Sequence, residues 1–187
     1  MRVIAGSARS MPLRTVKGLE VRPTTDRTKE TLFNILMPRI PGCRFLDLYS
    51  GSGSIGIEAL SRGAETAVFV ENARAAQNLI LENLEFTRLK DRAILIKGDA
   101  ASALRKLEGE KTFDVIFMDP PFDHGLEKET LAYLRNSTLP AADGIIVVEA
   151  SPKTDFSYLD EFGYIKIKER VYAKSQHVFL VKKQAEG

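Results

Sequence analysis

The feature that most constrains this chain is a repeated alternation of short apolar runs with amphipathic stretches. Near-continuous apolar runs at residues 45–49, 66–70, 93–96, 113–118 and 144–148 predict strands. The stretches between them, at 55–62, 73–84, 100–107 and 126–134, predict helices, the first stopped by Gly63. Runs of this kind belong to a parallel sheet with helices on both faces. The ending differs: 164–171 and 177–182 are two strand-like runs separated by about five residues, which makes a hairpin. Five βα units closed by an antiparallel hairpin predict an α/β fold that is not a plain dinucleotide-binding domain. Ahead of them, residues 3–21 are short apolar stretches broken by Gly6, Pro12 and Gly18, suggesting a small strand pair. Arg22-Pro23-Thr24-Thr25-Asp26 then predicts a helix start, because hydroxyls and a carboxylate can cap free amides and Pro23 blocks earlier helix. Leu32, Phe33, Ile35 and Leu36 give that helix its apolar face.

At 187 residues, 44% apolar and 28% charged, the chain is long enough to bury one sizeable core. No run of about 18 apolar residues occurs, and Met1-Arg2-Val3-Ile4 lacks the charged-then-apolar layout of a secretory leader, so a cytoplasmic protein without membrane contact is expected. Cys43 is the single cysteine, which excludes an internal disulfide; with only His124 and His177 besides, no metal site is expected. Cys43 and His124 have no base–nucleophile partner placed near them and are read as structural.

The net charge of +2 conceals an asymmetry. Residues 1–40 carry eight basic and three acidic side chains, a net of +5, while the remaining 147 carry 19 basic and 22 acidic, a net of −3. A basic segment on a mildly acidic body suits an anionic polymer, because Lys and Arg displace condensed counterions from phosphates; a solubilising terminus would carry the same charge. The chain therefore divides into a basic N-terminal arm with its first helix, 1–40, expected to capture substrate, and a body, 41–187.

The first strand leads into Tyr49-Ser50-Gly51-Ser52-Gly53-Ser54-Ile55-Gly56, a G-x-G-x-x-G turn opening a helix. Such a turn lets backbone approach a ligand closely, and by itself it is compatible with a tight structural turn, a dinucleotide site or an adenosylmethionine site. Three acids narrow the choice. Asp47 lies in the first strand under the turn, Glu71 ends the second, and Asp99 follows the third in Gly98-Asp99-Ala100. In a parallel sheet these ends open on one edge. A carboxylate at the second strand end can accept from both ribose hydroxyls. Asp99 is placed to accept from an adenine amine, and Asp47 to pair with a cationic amino-acid headgroup where a pyrophosphate would be repelled.

The fourth strand ends in Asp119-Pro120-Pro121-Phe122. Two prolines fix the backbone and remove two amide donors, leaving carbonyl acceptors. With the Asp119 carboxylate and the Phe122 ring, these suit a planar group bearing an N–H₂, such as a nucleobase amine. A rigid turn leaving a buried strand would need no such set.

These motifs in this order, Asp-Leu-Tyr-Ser-Gly-Ser-Gly, Val-Glu-Asn, Gly-Asp-Ala and Asp-Pro-Pro-Phe, resemble the class I methyltransferases that use S-adenosyl-L-methionine to methylate amino nitrogens. The Arg22-to-Asn34 run, preceded by Arg2-Val-Ile-Ala-Gly6, resembles more narrowly the bacterial 16S rRNA guanine-N2 methyltransferases of the RsmD family. One departure is Ser10-Met11, where that family commonly has a glycine and a basic residue. The resemblance implies a Rossmann-like seven-stranded sheet, methyl transfer to the N2 amine of a guanine, and ribosomal RNA or a partly assembled small ribosomal subunit as partner of a monomeric enzyme. It implies catalytic roles for Asp119, Pro120 and Phe122, with Gly51 and Gly53 beside the methionine moiety, Glu71 on the ribose, Asp99 at the adenine, and Asp47 with Thr24 or Thr25 near the methionine end. Arg22, Arg27 and Lys29 are candidates for holding phosphate or the substrate base, with Pro121 and, in the 170–175 hairpin loop, Tyr172 and Lys174 toward RNA. The alternatives left open are adenine N6 of DNA or RNA, a protein glutamine, a nicotinamide-dependent oxidoreductase, and a non-catalytic RNA-binding assembly factor on the same fold.

Overall fold

Helix α1 (Asp26–Leu36) begins where the capping residues predict: Thr25 is extended and its hydroxyl accepts from the Thr28 N–H at 3.1 Å. In this computed structural model, which describes residues 1–15 and 25–184, five strands follow in alternation with helices. They are β1 (Arg44–Leu48), α2 (Ser54–Ser61), β2 (Thr66–Glu71), α3 (Arg74–Thr87), β3 (Ala93–Lys97), α4 (Ala100–Leu107), β4 (Phe113–Met118), α5 (Leu126–Arg135) and β5 (Pro140–Ala150). The closing hairpin is β6 (Tyr164–Val171) and β7 (Gln176–Lys182). The connection from β5 to β6 carries a single 3-10 turn, Ser157–Leu159, in place of a fifth crossover helix.

The seven strands form one sheet in the order β3-β2-β1-β4-β5-β7-β6. The pairs among β1 to β5 are parallel, and β7 runs antiparallel to both β5 and β6. Strand order reverses between β1 and β4, which opens a crevice at their carboxyl ends. Each sheet face has its own apolar layer. Leu32, Phe33, Ile57, Leu60, Ile80 and Phe117 belong to the layer under α1, α2 and α3. Leu46, Leu104, Ile116, Leu131 and Val148 belong to the layer under α4 and α5. Strand β5 is longer than the predicted 144–148: it begins at Pro140, and a register shift between Phe113 and Val115 accommodates the extra length on β4.

The N-terminal stretch is tied to this body. Arg2 and Pro12 form an antiparallel bridge, and Val3, Ala8 and Leu13 join the α1–α3 layer. Ser10 reaches the turn there with a left-handed backbone, φ 67°. Gly6 touches the last turn of α2 so closely that a Cβ would lie 1.8 Å from the Ser61 carbonyl oxygen, and no other residue fits. The part of the predicted strand pair beyond residue 15 lies outside the described residues. No helix among the described residues is long and apolar enough to cross a membrane.

Candidate active site

The ends of β1 to β4 and the turn after β1 enclose a cavity of about 760 Å³ at the reversal point. That volume suits a small-molecule ligand. The glycine turn is built by its neighbours. The Ser50 hydroxyl donates to the Asp47 and Val70 carbonyls at 2.6 and 3.2 Å, clamping β1 to β2. Gly53 takes φ 78° at the N-cap of α2, a conformation open to glycine at no steric cost. Gly56 packs the helix onto β2, since a Cβ there would meet the Phe69 ring at 2.3 Å.

The three acids stand as the strand-end pattern predicts, each engaged with the turn or helix beside it. Asp47 is 1% exposed and accepts from the Gly56 N–H at 2.9 Å. Burial pushes its carboxyl up to about 7, against the Gly56 hydrogen bond and with the help of nearby Glu71. Glu71 accepts from the Gly51 N–H and the Ala73 N–H, both at 2.8 Å, so it shapes the glycine turn while facing the cavity. Asp99 caps α4, accepting from the Ser102 N–H at 2.8 Å, and that hydrogen bond holds its carboxyl below the usual range. Asp119 follows β4 and is linked to β1 through its N–H and the Leu48 carbonyl at 3.4 Å. Pro120 is buried, Phe122 half-buried and Pro121 exposed at the rim.

Of the predicted residues, Asp47, Gly51, Glu71, Asp99, Asp119, Pro120, Pro121 and Phe122 line this one cavity. Gly53 stands behind the turn as its pivot. Arg27 is exposed on α1, Lys174 is exposed on the β6–β7 loop, and neither is among the lining residues; Thr25 serves as the α1 cap. Tyr172 packs its ring edge-on against His177, with centroids 5.3 Å apart. Arg22 and Thr24 lie outside the described residues. The placement of Lys29 in the substrate site is corrected: it is fully buried, donates to the Arg2 carbonyl at 2.6 Å and lies 3.5 Å from Glu58. Its spacing from Leu32, Phe33 and Leu36 puts it on the apolar stripe of α1, and burial lowers its pKa. Cys43 is buried, with its thiol pushed up to about 12, which leaves no thiolate for chemistry.

Glu149 was missed. It lines the cavity from the end of β5, and the strand-end rule that found Asp47 and Glu71 would have found it had β5 been extended past Val148.

A seven-stranded sheet of this order, with acids at three parallel strand ends and Asp-Pro-Pro-Phe after the fourth, defines a class I methyltransferase. The family model described as conserved hypothetical protein 95 matches residues 1–181. Ribosomal RNA small subunit methyltransferase D of Haemophilus influenzae is 37% identical over 150 residues, covering 80% of this chain and 78% of that protein. A Bacillus subtilis protein provisionally named as rRNA methyltransferase YlbH is 41% identical over 150 residues, covering 80% of this chain and 82% of its own. A solved structure from Escherichia coli, provisionally named methyltransferase yhhF, superposes with a TM-score of 0.84 at 32% identity over 98% of both chains. The chain belongs to the ribosomal RNA small subunit methyltransferase D family.

Proposed function

We propose that this protein, acting as a cytoplasmic monomer, transfers a methyl group from S-adenosyl-L-methionine to the exocyclic N2 amine of a guanine in 16S ribosomal RNA. The observation that carries the reading is that Asp119-Pro120-Pro121-Phe122 opens on the same cavity as Asp47, Glu71 and Asp99. The donor set fits the cofactor: a buried carboxylate for an ammonium, one for a diol and one for an adenine amine, around a cavity of the right size. When bound, the cofactor supplies an electrophilic methyl group on a sulfonium.

Asp47 would hold the ammonium end, beside Gly51 and Gly53; Glu71 would take the ribose hydroxyls and Asp99 the adenine, while a role for Thr24 at the methionine end rests on the family resemblance alone. The guanine amine is a poor nucleophile, its lone pair delocalised into the ring. Asp119 and the Pro120 carbonyl accept hydrogen bonds from its two N–H groups, which turns the lone pair toward the methyl and stabilises the positive charge that develops. As the N–C bond forms the S–C bond breaks, and the surplus N2 proton leaves through the Asp119 carboxylate to solvent. Phe122 stacks on the base beside Pro121. A paired guanine must first leave its helix, at a cost of a few kcal/mol. The segment 1–40, with Arg22 and Arg27, and the hairpin loop through Lys174 capture RNA, while Tyr172 in that loop packs inward on His177; the Arg2 and Arg14 side chains keep 61% and 74% exposure despite their ion pairs.

Labelled-methyl transfer to 16S rRNA and to partly assembled subunits, followed by nucleoside mass analysis, tests the reading; N2-methylguanosine is expected. Asp119→Ala should lower transfer about 10²–10³-fold while S-adenosylhomocysteine and RNA still bind. Label in any other nucleoside, or transfer undiminished in the variant, refutes it.

A further inference from the structure

The penultimate residue of β5 is a carboxylate to which nothing above gives a role. Glu149 is only 5% exposed and still lines the cavity. The β4–β5 ladder pairs Met118 with Val148, so Glu149 is the lateral neighbour of Asp119 one step further on. Phe117 and Val147 face the α1–α3 layer, and strand alternation sends Asp119 and Glu149, two residues on, toward that same face.

Across the next ladder Glu149 stands directly opposite His177, with Oε2 and Nε2 3.0 Å apart. The His177 ring is fully buried and clamped edge-on by Phe117, Tyr172 and Phe179. Its Nδ1 is buried without a hydrogen-bond partner among the described residues. A carboxylate oxygen can only accept, so Nε2–H donates to Oε2. Oε1 takes no hydrogen bond among the described residues. One carboxylate oxygen is thus pinned and the other left to the cavity, beside the group that handles the amine.

We propose that Glu149 selects guanine by accepting the N1–H of the base, while Asp119 and the Pro120 carbonyl accept the N2 hydrogens. This rests on the guanine reading of the previous section and adds the group that reads the neighbouring atom. Guanine alone among the four bases offers an exocyclic amine adjacent to a ring N–H. Adenine and cytosine turn a ring lone pair toward that position, which a carboxylate repels, and uracil has the ring N–H but no amine. His177 is the positioning residue: it holds the carboxylate at one angle, and its aromatic clamp prevents it from turning away.

The test is 16S rRNA joined by splinted ligation, with guanosine or 2-aminopurine riboside at the position mapped for the unmodified protein. 2-Aminopurine keeps the N2 amine but has a lone pair at N1. The unmodified protein should favour guanosine about tenfold to a hundredfold in kcat/KM. Glu149→Gln can donate its amide to that lone pair, so the preference should collapse to within about threefold, with S-adenosylhomocysteine affinity retained as the control for folding. Equal transfer by the unmodified protein to both substrates refutes the role of Glu149 without needing any variant. An unchanged preference in a folded Glu149→Gln protein refutes it too. Absence of N2 transfer to guanosine by the unmodified protein refutes the guanine reading itself.

Discussion

Replacing Asp47 with Asn should change stability and cofactor affinity in opposite directions. The carboxyl sits at about 7 because burial disfavours its charge, the Gly56 N–H only partly offsets this, and Glu71 adds repulsion. An acid whose folded value exceeds its unfolded value, here about 4, stabilises the fold fully below pH 4, and that contribution is lost as pH rises through 7. The cofactor-free protein should therefore melt lower at pH 8 than at pH 5.5, and Asp47→Asn should flatten that fall, since the amide oxygen can still accept from Gly56. Binding runs the other way. An ammonium seated against Asp47 selects the ionised carboxylate, which is about one-eleventh of the population at pH 6 and about ten-elevenths at pH 8 for a value near 7. S-adenosylhomocysteine should thus bind about tenfold tighter at pH 8 than at pH 6, a difference of ~1.4 kcal/mol. The Asn variant should bind weakly with no such dependence. Titration calorimetry at both pH values, with melting curves alongside, reads both effects. If the unmodified protein binds equally at the two pH values, or if the Asn variant keeps the same slope, Asp47 does not hold the ammonium.

Two further outcomes follow from the N-terminal region. Glu58 is fully buried and accepts from the Ile4 and Ala5 N–H groups, from Arg62 and, at longer range, from Lys29, so Glu58→Ala leaves a buried, uncompensated lysine. The expected loss is about 3–5 kcal/mol in urea unfolding, and a loss under about 1 kcal/mol would mean that the cluster is solvated. Arg9 is exposed and, among the described residues, makes no ion pair, so Arg9→Ala should reduce the salt slope of RNA binding by about one unit. An unchanged slope in filter binding would place Arg9 away from RNA.

The parallel core and the hairpin were legible because both carry local signals: apolar runs where helices cover two faces, and a short polar break before the last run. The cavity acids were legible for a related reason, since a carboxylate that closes an apolar run has only the sheet edge to occupy. What escaped reading depends on register. Glu149 lies one residue past the predicted end of β5 at Val148, so the strand-end pattern stopped short of it, and its pairing with His177, 28 residues away, shows how deeply it is buried. Lys29 reads as part of a basic segment, yet its helical spacing from Leu32, Phe33 and Leu36 already puts it on the buried stripe, with its partner on another helix. Gly6 gave no hint of its approach to Ser61, because that contact joins segments more than 50 residues apart.

The buried lysine also alters what the charge asymmetry means. The +5 of residues 1–40 counts Lys29, whose charge is matched inside the protein by Glu58 and is lost to any external phosphate. Arg2 and Arg14 are paired with Asp26 and Glu82, but these pairs are exposed and weak, so both arginines stay open to competition from a polyanion. The basic segment is therefore part anchor, with the remainder of its charge exposed at the surface. The anchor is placed with consequence: Glu58 lies on α2, the helix that begins at the glycine turn, and Ser61 at the other end of α2 receives the Ser7 and Ala8 N–H groups. The N-terminal segment and the glycine turn thus meet on one eight-residue helix, whose packing on β2 is fixed by Gly56 against Phe69. If the N-terminal segment takes RNA as proposed, that short helix ties the captured strand to the glycine turn of the cavity.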